Sequence, residues 1–154
     1  MSGSEQTYFQ KGFDLKKVVG PVLAESYHSH VVDRLKDLGY AARAGEVRVK
    51  LAREFGFCYG VDRAVEYAYE ARERFPDRRI FLSGEIIHNP EVNARIEALG
   101  IRILPDHRSP AERYAGVEAE DVVILPAFGV HVAELQHLRT KRCVLVDCIP
   151  RIGG

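Results

Sequence analysis

A cysteine between two glycines is the residue of this sequence best placed to do chemistry. Cys58 follows a segment with strand-like alternation and precedes a segment with helical periodicity, and Gly56 and Gly60 flank it. A helix N-terminus carries partial positive charge and free N–H groups, which favour the thiolate that binds a metal or a metal cluster. The glycines allow close approach of the backbone. A free cysteine is also often a small buried hydrophobic residue, and that interpretation stays open from the residue alone.

A histidine at the start of a predicted helix is the second candidate. His88 ends an apolar segment and immediately precedes Asn89, Pro90 and Glu91, which in this order favour the first turn of a helix. An imidazole beside a helix N-terminus can help to hold a phosphate group. A structural histidine bonded to a nearby carbonyl explains His88 equally well. Glu85 is either a catalytic carboxylate or a partner for local backbone or an arginine.

Several familiar patterns are absent from the sequence. The segment 56–60 matches neither the dinucleotide-binding G-x-G-x-x-G pattern nor a P-loop. Cys58 and Arg63 are separated by four residues, one fewer than the Cys-to-Arg loop of tyrosine phosphatases requires. His28 and His30 lie in a predicted helix, where nearby residues face different ways, so no metal site is predicted there.

Alternating strands and helices must position these residues. Residues 1–15 are expected to form an extended arm, residues 16–38 one helix, and residues 41–46 a linker. The predicted strands cover residues 47–51, 79–82, 122–125 and 143–146, and the status of a short strand at 101–104 is open. Predicted helices at 61–75, between Asn89 and Gly100, and at 132–139 separate them. This alternation indicates an α/β fold with a parallel sheet of about four strands, flanked by helices.

The candidate residues fall at the carboxyl ends of predicted strands, where open α/β sheets bind their ligands. The four segments concerned are 56–60, 84–90, 126–129 and 147–148. In a parallel sheet all four lie at one rim. Glycines, a thiol, an imidazole and helix N-termini are therefore predicted to converge there.

Composition and charge limit the class of protein. The 154 residues suffice for one domain with an appendage, which we divide into residues 1–45 (N-terminal extension), 46–147 (α/β domain) and 148–154 (divergent tail). A net charge of +0 predicts no nucleic-acid partner, and no apolar run approaches the ~20 residues of a membrane span. Three cysteines and no secretory signal favour a cytoplasmic protein, or a stromal one in a plastid-bearing host.

Four stretches carry a resemblance to a known family. In order and spacing they read LAREFGFCYGVDRAVEYAYEAR, FPDRRIFLSGEIIHNPEVNARI, ILPAFGV and CVLVD. They closely resemble the 4-hydroxy-3-methylbut-2-enyl diphosphate reductases, from about Tyr8 to Asp147. The openings TYFQKGFDLKK and YHSHVVDRLK are similar to the N-terminal extension of the long members, found in cyanobacteria, plastids and some other bacteria.

The resemblance implies a fold and a chemistry. The family fold is a trefoil of three α/β domains around a 4Fe-4S iron–sulfur cluster, held by one cysteine from each domain. The family removes a hydroxyl from an allylic diphosphate with electrons from a donor such as ferredoxin or flavodoxin, as the last step of the methylerythritol phosphate route. Cys58 matches the first cluster cysteine, and His88 matches a histidine that contacts the substrate diphosphate. Phe128 stands where another branch of the family carries a histidine.

The C-terminal residues depart from the family pattern. Long members continue Asp-Thr-Thr-Cys-Gly, whereas this chain reads Asp147, Cys148, Ile149, Pro150. The second cluster cysteine would stand at position 150, which is Pro150, and a two-residue offset displaces the Cys148 thiol by several ångströms. Cys148 is thus a doubtful ligand, and no catalytic residue is expected within the chain.

These departures lead us to expect an inactive fragment of the reductase. The exposed apolar surfaces of such a fragment would favour contact with missing domains or self-association. A stand-alone diphosphate-binding module and an interaction protein completed by a second chain are the alternatives.

Overall fold

The computed structural model describes residues 7–106 and 109–148, and within these residues the chain forms seven strands and six helices. The strands are β1 (Tyr8–Phe9), β2 (Ala41–Ala44), β3 (Val47–Lys50), β4 (Ile80–Leu82), β5 (Ile101–Ile103), β6 (Val122–Leu125) and β7 (Val144–Asp147). The helices are α1 (Lys16–Ser26), α2 (His30–Asp37), α3 (Tyr59–Arg74), α4 (Pro90–Ala98), α5 (Pro110–Arg113) and α6 (Val132–Lys141). None of these helices is long and apolar enough to cross a membrane.

A parallel sheet of five described strands organises the chain. Its strand order is β1-β7-β6-β4-β5, and every neighbouring pair is parallel. β4, β6 and β7 consist wholly of buried residues, as expected for strands covered on both faces. The predicted α/β fold with a parallel sheet and flanking helices is confirmed, and β5 resolves the open status of residues 101–104.

The two faces of the sheet support separate parts of the core. Ile80, Leu82 and Ile124 pack with α3, α4 and the buried Val19 of α1. The alternate residues Phe81, Val123 and Leu145 pack on the opposite face with Tyr114 and Leu138. This division follows from the two-residue period of a strand.

The predicted strand at 47–51 does not belong to the parallel sheet. β3 pairs antiparallel with β2, inside the segment predicted as a linker, and the two form a separate hairpin. All four β3 residues are exposed, and Gly45 turns the chain with φ +60°. The strict alternation of Val47 and Val49 with charged residues is typical of a two-stranded hairpin, whereas a buried parallel strand reads as a continuous apolar run.

The single helix predicted over residues 16–38 is also wrong. The chain forms α1 and α2 with a break at residues 27–29, and Ser29 caps α2 by accepting from the Val32 N–H at 3.4 Å. A serine side chain competes for backbone groups inside a helix and is favoured at its N-cap. The break therefore has a local cause in the sequence.

The N-terminal segment is anchored to the rest of the chain. The buried Glu70 carboxylate on α3 accepts the backbone N–H of Phe13 at 2.8 Å and that of Leu15 at 2.9 Å. The rings of Phe9 and Phe13 pack against Phe75, and β1 pairs with β7. These contacts place residues 8–26 against the sheet and α3 of the same chain.

Candidate functional site

A cleft of about 1070 Å³ lies at the carboxyl ends of β4, β5 and β6. Its walls come from the loops that follow these strands and include Glu85, His88, Pro105, Phe128 and Gly129. Two of the four segments predicted to meet at the rim, 84–90 and 126–129, thus line one cleft. The position agrees with the general rule for ligand sites in open α/β sheets.

His88 lies at the mouth of the cleft, just before α4. Its side chain is 99% exposed, and Nδ1 is 2.8 Å from Glu85 Oε2. Because an ionised carboxylate only accepts hydrogen bonds, Nδ1–H donates in this contact, and the exposed Nε2 is left for a ligand. Glu85 therefore positions the imidazole. His88 does not end a sheet strand as predicted, since β4 stops at Leu82 and a loop follows.

The start of α4 matches its sequence pattern. The Asn89 side chain accepts the N–H groups of Glu91 at 3.0 Å and Val92 at 3.3 Å, and Pro90 occupies the first turn. These contacts satisfy two of the helix's free donors. These two N–H groups are therefore no longer offered to an anion.

An ion-pair network centred on the partly buried Arg113 forms another wall of the cleft. Arg113 Nη1 donates to Glu134 Oε1 at 2.9 Å, and the guanidinium also contacts Asp106. The Tyr114 hydroxyl donates to the same Glu134 oxygen at 3.3 Å, and burial raises the pKa of Tyr114 to about 12. Two carboxylates contact this one guanidinium, so the wall offers no unpaired positive charge to an anion.

Two residues that line the cleft, Arg113 and Asn93, were not predicted from the sequence. Arg113 ends α5, which starts at Ser109-Pro110 with the Ser109 side chain accepting from Glu112 N–H at 3.3 Å. This cap followed by proline repeats the pattern that predicted α4 and could have been recognised. Asn93, 9% exposed, also lines the cleft, and its Oδ1 has no hydrogen-bond partner among the described residues.

Cys58 is the N-cap residue of α3. Its thiol is exposed and makes no capping hydrogen bond, so it is available to a ligand. The alternative interpretation as a small buried residue is therefore wrong. The preceding strand is β3 of the hairpin and not a strand of the parallel sheet, and Gly56 turns the intervening loop with φ +125°.

Cys148 follows β7 and is only 1% exposed. Burial raises the pKa of its thiol, Asp147 raises it further, and Arg63 on α3 opposes the shift. A protonated thiol packed in the core is a poor metal ligand. Position 150, where the family pattern expects a cysteine and this chain has Pro150, lies outside the described residues.

The thiols fit an iron–sulfur cluster only in part. A cluster requires several thiolates that reach one point. In the described ranges 7–106 and 109–148, Cys58 is the one exposed cysteine; Cys143 is buried, and burial raises its pKa to about 11. These residues could supply a single ligand and do not form a complete cluster site.

Together, the fold and the site define an α/β domain with a ligand cleft at the carboxyl rim of its sheet and an accessible thiol at a helix N-terminus. Residues 49–149 match the model of the family described as LytB protein. The chain belongs to the LytB family.

Curated relatives agree with this assignment. The chain is 45% identical over 145 residues to a 4-hydroxy-3-methylbut-2-enyl diphosphate reductase of Gloeobacter violaceus, across 92% of the chain and 35% of that relative. It is 42% identical over 140 residues to the reductase of the same name from Microcystis aeruginosa, across 91% of the chain and 35% of the relative. The chain thus spans 35% of the length of these relatives.

A solved structure supports the fold. The E-1-hydroxy-2-methyl-but-2-enyl-4-diphosphate reductase from Plasmodium falciparum matches with a TM-score of 0.53 at 24% identity, over 63% of this chain and 28% of that one. At this identity the match concerns the fold alone.

Proposed function

We propose that this chain forms the first-domain part of a 4-hydroxy-3-methylbut-2-enyl diphosphate reductase and contributes one ligand to its iron–sulfur cluster. The observation that carries the proposal is the exposed, uncapped thiol of Cys58 at the N-terminus of α3, within the region matched by the family. The complete reductase would remove the hydroxyl of an allylic diphosphate as water, consuming two electrons and two protons. The cluster, when bound, would supply the electron-transfer chemistry.

Cys58 has the environment that a ligating thiolate needs. The first-turn N–H groups of α3 give this helix end partial positive charge, which stabilises a nearby anion. No side chain hydrogen bond occupies the sulfur as a cap. The thiol can therefore bind iron without breaking a contact that holds the helix.

His88 would contact the substrate diphosphate at the mouth of the cleft. The Glu85 carboxylate accepts a hydrogen bond from Nδ1 of His88, which leaves Nε2 facing solvent. There, an N–H at Nε2 could donate to a phosphate oxygen of the substrate. Arg113 already contacts the carboxylates of Glu134 and Asp106, so the exposed His88 is the side chain of this cleft best placed to meet an anion.

The 154 residues alone are expected to lack reductase activity. One accessible thiol among the described residues cannot hold a cluster, so further ligands and domains must come from elsewhere. Exposed Phe57, Tyr59 and Phe128 near the two candidate residues suit contact with such domains, or with a second copy of the chain. A donor such as ferredoxin or flavodoxin and a cytoplasmic or stromal location complete the proposal.

A chimaera tests the proposal directly. Residues 8–147 of this chain would replace the matching region of the Gloeobacter violaceus relative, and the purified protein would be reconstituted with iron and sulfide without oxygen. We expect an iron–sulfur chromophore and reduction of the allylic diphosphate. Cys58→Ser should abolish the chromophore, whereas Cys143→Ala, a buried cysteine, should retain it.

The same chimaera tests His88. His88→Asn should keep the chromophore and lower kcat/KM by roughly 10–100-fold, the loss expected for one hydrogen bond to a charged group. Gln136→Asn, at an exposed position of α6 outside the cleft, serves as the control. Turnover by the isolated 154-residue chain, or a Cys58→Ser chimaera that keeps its chromophore, would contradict the proposal.

A diphosphate-binding module without catalysis is the second candidate, because the cleft and His88 lie within one domain. Calorimetry of the 154-residue chain with a prenyl diphosphate separates the two. Saturable binding that His88→Asn removes, together with an inactive chimaera, would favour the module.

A further inference from the structure

A cluster of metal-ligating side chains lies where the first two helices meet, away from the cleft. The ligand atoms of His28, His30 and Asp33 all come within 4.8 Å of one another. Over the described ranges of the chain, it is the one group of three His, Cys, Asp or Glu side chains found with this proximity. Neither Cys58 nor His88 takes part in it.

The break between α1 and α2 brings these residues together. In one continuous helix His28 and His30 would face different ways, but Ser29 starts a new helix and the chain turns before it. His28 Nε2 then approaches Asp33 Oδ2 to 2.6 Å, and the His28 and His30 rings meet at 4.6 Å between centroids with an 84° angle. The prediction that no metal site could form here rested on the unbroken helix.

We infer that His28, His30 and Asp33 form a binding site for a divalent transition metal of the zinc class. Two imidazoles and one carboxylate are a ligand set typical of Zn²⁺, with water in the remaining position. Ligand bonds of about 2.0–2.2 Å in a tetrahedron separate ligand atoms by roughly 3.3 Å. Starting from the observed separations, rotation of exposed side chains can reach that geometry: the His28 and Asp33 side chains are 44% and 49% exposed.

The backbone that carries His28 is held in place on its N-terminal side. Arg95 on α4 donates to the Ser26 carbonyl, and its guanidinium lies over the Tyr27 ring at 5.3 Å from the centroid. The Tyr27 ring in turn packs edge-on against Phe57, with 5.8 Å between centroids. A metal bound by His28 would therefore link α2 to the segment of Ser26 and Tyr27, which Arg95 and Phe57 hold beside the loop that carries Cys58.

The alternative is an ordinary hydrogen bond between His28 and Asp33 that never binds metal. The two interpretations differ in the role of His30, which touches the pair only through its ring. They also differ in whether Asp33 must be charged. A neutral amide at position 33 could keep the hydrogen bond to His28 but would bind a cation poorly.

The test uses the 154-residue chain without an affinity tag, in a Cys58→Ser background so that the exposed thiol cannot bind the probe. Calorimetry with Zn²⁺ should give one site per chain, and Co²⁺, a spectroscopic substitute, should give visible absorption bands typical of nitrogen and oxygen ligands. His28→Gln, His30→Gln and Asp33→Asn should each lower the affinity at least about tenfold. His131→Gln, which removes an exposed histidine outside the cluster, should leave it unchanged.

Thermal unfolding gives a second measurement. Zn²⁺ at about 100 times its Kd should raise the Tm by roughly 5–10 °C, and each cluster variant should lose most of this increase while keeping its metal-free Tm. The inference is overturned if Zn²⁺ binds no more tightly than about 1 mM, or if the three variants bind as well as His131→Gln. Because these measurements require neither an iron–sulfur cluster nor the diphosphate substrate, their outcome is independent of the proposed function.

Discussion

The three cysteines differ most in their access to solvent. Cys58 is exposed at a helix N-terminus, whereas Cys143 and Cys148 are buried beside β7. The Cys143 thiol donates to the Leu138 carbonyl at 3.8 Å, and burial raises the pKa of both buried thiols. Only a thiolate reacts rapidly with an alkylating reagent, so these environments separate the three residues chemically.

Alkylation measures this difference. In native protein at pH 8, iodoacetamide should modify Cys58 alone, and mass spectrometry of the peptides should find Cys143 and Cys148 unmodified. In denaturant all three should react at similar rates, which serves as the control. Fast labelling of Cys148 in the native protein would contradict its burial and reopen its role as a ligand.

The positions of Cys58 and His88 just before helices could be predicted, because the start signals of these helices stand next to them in the chain. The Arg113–Glu134 pair spans 21 positions, so no local pattern announces it. The cluster of His28, His30 and Asp33 depends on the break between α1 and α2. The helical periodicity of apolar residues continues on both sides of Ser29, so it predicted one unbroken helix.

At the scale of elements, the turn before α1 requires a glycine. Gly12 has φ +71°, and a Cβ atom there would lie 2.5 Å from Tyr67 Cε1 and 2.7 Å from Glu70 Oε2. Glu70 accepts the N–H groups of Phe13 and Leu15, which hold the segment. The backbone conformation and the space at this position both exclude a side chain.

Two glycine substitutions with opposite expected signs test this anchor. Gly12→Ala should lower the free energy of unfolding by about 1–3 kcal/mol, through backbone strain and the displaced Glu70. Gly116→Ala, at a turn position without positive φ where an added Cβ meets nothing within 4 Å, should raise it by about 0.4–1 kcal/mol. Chemical denaturation measures both, and equal effects would show that the turn is not strained by a side chain.

The elements of the parallel sheet were predictable because β4, β6 and β7 are continuous apolar runs between helices. β1 has two residues and pairs with a strand far along the chain, so its pattern is too short to recognise. The alternation over residues 47–50 predicts a strand correctly, but a period of two does not say which partner the strand has. The partners of β1 and β3 therefore could not be predicted from their own sequence patterns.

At the scale of the whole molecule, several buried acids stay protonated in the folded state. Burial raises the pKa of Cys143 to about 11 and those of Tyr27 and Tyr114 to about 12. When the protein unfolds, these groups return to their ordinary pKa values, so above those values the unfolded chain binds fewer protons. Folding is therefore favoured at neutral pH and progressively less as the pH rises.

The free energy of unfolding should fall from about pH 8.5 upward, by up to about 1.4 kcal/mol per pH unit for each such group that titrates. Urea denaturation at pH 7 to 11 measures the slope. Cys143→Ala should reduce the slope between pH 9 and 11, whatever its effect on stability at pH 7. An equal slope in this variant would show that the Cys143 thiol ionises as easily in the folded protein as in the unfolded chain.

The pairing of β1 with β7 also has a consequence for synthesis on the ribosome. The Tyr8 hydroxyl donates to Asp147 at 2.6 Å, across 139 positions of the chain. At about 5–20 residues per second, translation separates these two residues by roughly 7–28 s. β4, β5 and β6 can pair with one another during this interval, because all three strands end before residue 126. β1 thus leaves the ribosome before every other described strand but joins the sheet only with β7, and until then this segment lacks its strand partner and is open to chaperones and proteases.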